Sequence, residues 1–200
     1  MEWCQVRTNP ERRRTLLDAA IEVLARDGAR GLTFRAVDKE AAVPAGTASN
    51  YFANRDDMLT QVGSRYYERL QPSPETLAQV TTSPRTRDAV TDLMTEVVER
   101  VAAFRTGYLA QLELRLEATR RPELQAVLTE RVRADIDFNI RNHVDNRMPG
   151  DETTVLLLYL ALNWLILERL TLPDIFTAEQ SRELMRAAVA RAIPEESGRG

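Results

Sequence analysis

Residues 32–59 read LTFRAVDKEAAVPAGTASNYFANRDDML, and the punctuation of this stretch decides the fold. The Thr33 hydroxyl can accept a hydrogen bond from an otherwise orphaned amide, which opens a short helix through about residue 41. Pro44 ends that helix and suits the first position of the next, so 43–51 reads as a second short helix after a tight turn. Asn54, with Asp57 three residues on, resembles a capping box with Asp in the Glu role, and a longer helix follows to about residue 70. Two short helices joined by a tight turn, followed by a capped third, form a helix-turn-helix scaffold whose second helix can enter the major groove of DNA.

Upstream, Leu16, Leu17, Ala20, Ile21 and Leu24 fall on one stripe of a 3.6-residue repeat, predicting a helix over 10–27. Asn9 can cap it, Pro10 suits its first turn, and Gly28 lies where a left-handed residue is wanted. Downstream, Gln71, Pro72, Ser73 and Pro74 mark a hinge. Apolar periodicity then predicts helices over 84–104, 108–120 and 124–144, the last stopped at Met148-Pro149-Gly150. The most apolar segment, 155–167, is broken only by Asn163 and has thirteen residues, where a bilayer needs about twenty. A helix over 178–193 closes the chain. Nothing alternates with period two over a useful length, so the expected class is all-α with about nine helices.

Composition narrows the chemistry. The 200 residues are 44% apolar, enough for one or two domains with a real core. A lone cysteine, Cys4, excludes a disulfide framework and a cysteine-based zinc site. His143 is the single imidazole, so no triad or two-histidine metal site can form within one subunit, and it reads as a polar helix-surface residue. The first thirty residues look like neither a signal peptide nor a membrane span, which makes cytoplasmic the expected location. No metal and no cofactor is expected. A net charge of -3 argues against coating nucleic acid by bulk electrostatics, while leaving room for a local site.

The quoted stretch resembles the N-terminal signature of TetR-family transcriptional regulators, strongly so over about 12–59, and LELRLEATRRPEL further on is similar to their ligand-binding half. The resemblance implies an all-helical homodimer. A helix-turn-helix DNA-binding domain would occupy 1–53, and an effector-binding and dimerisation domain 54–200, with the helix at 54–70 on the boundary. By position, Thr33 would cap beside a phosphate, Arg35 would touch backbone or base, and Arg55 would contact a phosphate. Ala45, Gly46, Thr47, Ser49, Asn50 and Tyr51 would belong to the recognition element. The chemistry agrees: Gly46 permits close backbone approach, Thr47 and Ser49 carry short hydroxyls, and Asn50 can pair bidentately with adenine. Helix N-termini at Pro44 and Asn54 would offer free amides to phosphate. Ala42 stands where the family commonly has Gly and Pro44 where a capping Ser is common, while Ala48 and Ser49 replace a large apolar and aromatic pair. Arg7, Arg12, Arg13 and Arg14 either follow the minor groove or phosphates as an arm or form a solvated first turn.

For the effector pocket that the resemblance implies, the candidates are Met94, Phe104, Tyr108, Gln111, Arg115, Phe138, Asn163 and Trp164: aromatic walls with a few polar groups, suited to a small, partly apolar molecule. Phe104 and Trp164 also suit an ordinary core. Gln111, Arg115 and Asn163 would need partners in a helical interior, an anionic group in the case of Arg115. The two apolar final helices suggest a subunit interface through Leu157, Leu160, Leu165, Leu184 and Ala188, against the alternative of a core helix in a monomer. The expected function is sequence-specific DNA binding, as a repressor released from a palindromic operator by its effector. The alternative is a constitutive DNA-binding architectural or partner-binding protein of the same fold. An enzyme is disfavoured by inventory: no activated nucleophile, no phosphate loop, no metal spacing.

Overall fold

A computed structural model describes residues 9–194; Cys4 and Arg7 lie outside them. Nine α-helices carry the described chain: α1 Pro10–Gly31, α2 Phe34–Glu40, α3 Arg55–Leu70, α4 Pro74–Thr82, α5 Arg87–Ala103, α6 Arg105–Ala118, α7 Pro122–Asp145, α8 Glu152–Thr171 and α9 Ala178–Ala192. A single 3-10 turn, Ala48–Asn50, lies between α2 and α3. By compactness the chain divides into two units. One runs to Gln71 and takes in Thr106–Arg131; the other comprises Pro72–Arg105 and the chain from Val132 onward.

In the first unit, α1 begins where expected, with the Asn9 side chain accepting from the amides of Glu11 and Arg12. Its helical run breaks at Gly28, whose φ of 68° and ψ of -179° suit glycine almost alone. Leu16, Ile21 and Leu24 of α1, Val37 of α2 and Met58, Leu59 and Val62 of α3 are all fully buried, and α1 packs on both α2 and α3, so three helices close one core. Polar ties add α6 to this unit: the Thr106 hydroxyl meets the Glu22 carboxylate at 2.9 Å, and the Ala29 amide donates to Glu113 at 3.1 Å. The start of α7 brings Leu124 and Leu128 against Gly63.

The second unit layers α5, α8 and α9. Ala89, Val90, Met148, Leu158, Val189 and Ile193 form its core cluster, with Met94 and Ala188 packed on the edge. α8 opens on a capping box, Asp151 with Thr154, whose hydroxyl also donates to the Ala192 carbonyl of α9 at 3.0 Å. It spans 20 residues, longer than the apolar run in its middle, and is long and apolar enough by length and composition to cross a membrane. One of its faces, through Leu158, Leu162, Ile166 and Leu170, is buried in the protein.

Three sequence expectations need correction. The segment 43–51 is not a continuous short helix but a tight turn with a three-residue 3-10 run, because Gly46 takes φ 89°, outside the helical region. The stretch 71–74 contains the start of α4 at Pro74, capped by Ser73, which accepts from the Thr76 amide; the Pro-rich spacing hid it. His143 is half-buried, its Nε2 at 3.1 Å from the Pro149 carbonyl, and this burial lowers its pKa below the ordinary imidazole value, the bond to Pro149 and the charge of Asp151 opposing. Ala42 does adopt the left-handed conformation, at φ 51°.

Candidate nucleic-acid interface

The turn at 44–52 is organised by a residue that sequence reasoning passed over. Asp38, only 3% exposed near the end of α2, accepts from the Gly46 amide through Oδ2 and from the Ala48 amide through Oδ1, both at 2.7 Å. Ala48 is fully buried and Phe52 nearly so, with the Phe52 ring stacked 6.4 Å from that of Phe34. The turn is thus clamped underneath by a carboxylate and an aromatic pair, leaving Ala45, Gly46, Ser49 and Asn50 exposed and Thr47 half-exposed. A carboxylate eight residues upstream has no local signature, and a buried Asp in a short amphipathic helix was the available clue.

This clamp corrects the expectation of free amides at Pro44. The Gly46 and Ala48 amides are engaged by Asp38, and the Thr47 amide donates to the Pro44 carbonyl at 3.1 Å. At the next helix, the Asn54 side chain accepts from Asp57, while the Asp57 carboxylate reaches back to the Ala53 amide at 2.9 Å. Side chains therefore carry the outward chemistry. The Thr47 hydroxyl donates to the Pro44 carbonyl at 2.5 Å and the Ser49 hydroxyl to the Gly46 carbonyl at 2.7 Å. Gly46 is needed for its positive φ rather than for space, since a Cβ there would meet nothing within 4 Å.

Thr33 caps α2 through the Ala36 amide at 3.1 Å. Arg35 and Lys39, one turn apart on α2, are exposed, as are Arg12 and Arg14 on α1. Arg13 is different: its guanidinium lies 5.8 Å from the centroid of the Tyr51 ring and also meets the Gln61 side chain. The arm reading therefore does not extend to Arg13, which braces Tyr51. Arg55, expected on a phosphate, turns inward instead. Its Nε donates to the Leu32 carbonyl at 3.2 Å and its Nη2 to that of Ala29, because the end of α1 presents carbonyls with acceptor capacity to spare and the negative pole of the helix.

The effector candidates divide between the units. In the first, Gln111 is buried and lies 3.4 Å from the Tyr67 hydroxyl; turning its amide over lets its oxygen accept from Arg115 Nε at 2.5 Å. Arg115 is exposed, contrary to its expected interior position. Tyr108 is buried, which pushes its phenol up from the ordinary value, with the nearby charge of Arg115 opposing. In the second unit Met94 packs on the core cluster, Phe104 caps α5, Phe138 is half-buried, and the Asn163 amide donates to the Tyr159 carbonyl at 2.8 Å within α8. Trp164 lines no interior wall: it is 64% exposed, in line with Leu157 at 52% and Leu160 at 65%. Spacings of three and four put these on one helix face. Leu184 of α9 is 42% exposed, whereas Leu165 and Ala188 are half-buried.

A clamped, outward-facing turn between two side-chain-capped helices has the geometry of a helix-turn-helix DNA-binding element. Comparison with known proteins agrees at both ends of the chain. The family model described as "Bacterial regulatory proteins, tetR family" matches residues 16–62, and "Tetracyclin repressor-like, C-terminal domain" matches 85–195. The chain belongs to the TetR family of DNA-binding transcriptional regulators. Among solved structures it resembles the multidrug binding protein EbrR complexed with imidazole, at 26% identity, TM-score 0.66, covering 96% of this chain and 100% of that one. EbrR complexed with ethidium matches at 29% identity and TM-score 0.66, covering 92% and 99%. A TetR-family member from Streptomyces coelicolor A3 matches at 27% identity and TM-score 0.68, with coverage of 92% and 99%. No curated protein matches the chain.

Proposed function

We propose that this protein is a cytoplasmic, homodimeric repressor that leaves a palindromic operator when a small, partly apolar effector binds. In this reading 1–53 bind DNA, 54–200 bind the effector and dimerise, and the helix at 54–70 joins the two tasks. The observation that carries it is the turn at 44–52, held rigidly from below while Thr47, Ser49 and Asn50 face outward. Two such turns about 34 Å apart would reach successive major grooves. The exposed line Leu157, Leu160 and Trp164 supports a partner subunit, and the relatives crystallised with ethidium and imidazole support a ligand-responsive role. An effector that prefers the dimer with another spacing weakens operator affinity by its preference between the two states.

The test starts from a duplex selected by the wild-type protein out of a random library, followed by titration in a gel-shift series with ethidium added, and with an unrelated DNA-binding protein on its own site as the control for intercalation. Release from the duplex together with a raised melting temperature is the expected result. Thr47→Ala and Tyr51→Ala are expected to weaken binding about tenfold or more each, as loss of a base or phosphate contact would, with little change in melting temperature. Unchanged binding by both rejects the assigned turn. DNA binding that persists across a chemically broad set of ligands, none of which shifts the melting temperature, favours the constitutive architectural reading.

A further inference from the structure

The recognition element of this protein does not support itself. A free-standing helix needs several residues fixed before its hydrogen bonds accumulate, and here the regular run is three residues long. Two of its amides also lie outside any helical ladder. Gly46 and Ala48 have no carbonyl partner within the turn; both donate to one carboxylate, that of Asp38. Ala48 is fully buried and Asp38 almost so, which denies the Ala48 bond to water, while the bond from the exposed Gly46 is part-buried.

We propose that Asp38 is the positioning residue of the DNA-reading turn, setting its orientation by holding the Gly46 and Ala48 amides with separate oxygens. The proposal rests on the reading of 44–52 as the element that meets DNA. One acceptor would fix a distance, whereas two acceptors on a rigid carboxylate fix a direction as well. Asp38 is itself fixed, because its neighbour Val37 is fully buried in the core shared with α1. The side chains set by this direction are Thr47, Ser49 and Asn50.

A consequence separates positioning from general stability. With the turn's amides facing inward onto a carboxylate, its backbone offers little to phosphate, and sequence-independent attraction falls to cationic side chains such as Arg12, Arg14, Arg35 and Lys39. Those cations stand on α1 and α2, outside the clamped turn. Disturbing Asp38 should therefore cost the specific complex and spare the non-specific one.

The experiment uses the full chain with Asp38→Asn, which keeps size and one acceptor, and Asp38→Ala, which keeps neither. Affinity is measured by fluorescence anisotropy for the duplex selected by the wild-type protein and for a duplex of scrambled sequence. Hydrogen exchange is followed at the Gly46 and Ala48 amides. We expect Asp38→Asn to lose at least about tenfold on the selected duplex, the effect of one unpaired buried amide. Asp38→Ala should lose more, and the scrambled duplex should be bound by both much as by the wild type. Exchange should accelerate at Gly46 or Ala48 in Asp38→Asn while amides in the middle of α1 stay protected. Equal losses on both duplexes, or unchanged protection of the two amides, overturns the proposal. A wild-type protein with no sequence preference would instead refute the DNA-reading assignment, and the exchange measurement would still decide whether Asp38 holds the turn.

Discussion

The first compact unit and the second solve the same burial problem to different degrees. Around α1, α2 and α3 the large apolar side chains go fully inside, and what remains outside is mostly polar or charged. In the second unit α8 buries the face carrying Leu158, Leu162, Ile166 and Leu170, yet leaves Leu157, Leu160 and Trp164 exposed, with Leu184 of α9 also outside. Isolated exposed leucines are ordinary; an aligned row on a helix with hardly a charge in its middle is not. The contrast teaches that the N-terminal helices finish their core within the chain, while the C-terminal bundle has a surface suited to another protein.

The most drastic way to break this contrast is a charge in the exposed row. Leu160→Glu is expected to convert dimers to monomers or to insoluble protein, read by light scattering, and an unaltered dimer would reject the interface. Next comes the first unit's internal bracing. Arg55→Ala should lower stability by about 1.5–3 kcal/mol, the usual worth of hydrogen bonds from a charged group, and leave the salt dependence of DNA affinity unchanged. A phosphate-contacting Arg55 would instead reduce the slope of log K against log salt by about one. A smaller effect of opposite sign is expected from Ala42→Gly. Relief of a left-handed alanine should raise stability by about 1 kcal/mol in thermal melts, after allowing for the freer unfolded glycine.

The smallest effect belongs to His143 in the second unit. Its folded pKa lies below the unfolded value because burial disfavours the charged ring. As pH falls, the unfolded chain takes up the proton first. The contribution of the neutral ring is therefore complete above the unfolded pKa of about 6.5 and declines as pH drops from there through the lower folded value. The melting temperature of the wild type should fall more steeply across that interval than that of His143→Gln, and parallel curves would remove His143 from the account.

Helix existence was legible because it depends on local periods: the stripe from Leu16 to Leu24, and the caps at Asn9, Thr33 and Asn54, all recur in the fold. Ser73-Pro74 suits a hinge, yet a Ser cap followed by Pro at the first helical position is equally a start signal, and α4 begins there. At the candidate site the exposed positions Ser49 and Asn50 could be placed from sequence, since they follow from where the turn lies. The inward use of Arg55 and the clamp by Asp38 could not, because each depends on a carbonyl or amide brought near by packing: Arg55 reaches 26 residues back to Ala29 and Asp38 reaches ten forward to Ala48. Trp164 was misplaced for a related reason, since an aromatic ring on an apolar helix looks the same in sequence whether its face is covered or bare.

One residue in the first unit, Ala29, is held through both of the peptide groups that flank it. The N–H of Ala29 donates to the Glu113 carboxylate and its C=O accepts from the Arg55 guanidinium, so an anion and a cation grip the backbone on either side of one Cα. Both bonds fix the same backbone position directly after the break at Gly28, so losing either loosens the geometry that the other needs. Glu113 and Arg55, 58 positions apart in the chain, should accordingly behave as thermodynamic neighbours: removing both would cost less than the two separate removals added together.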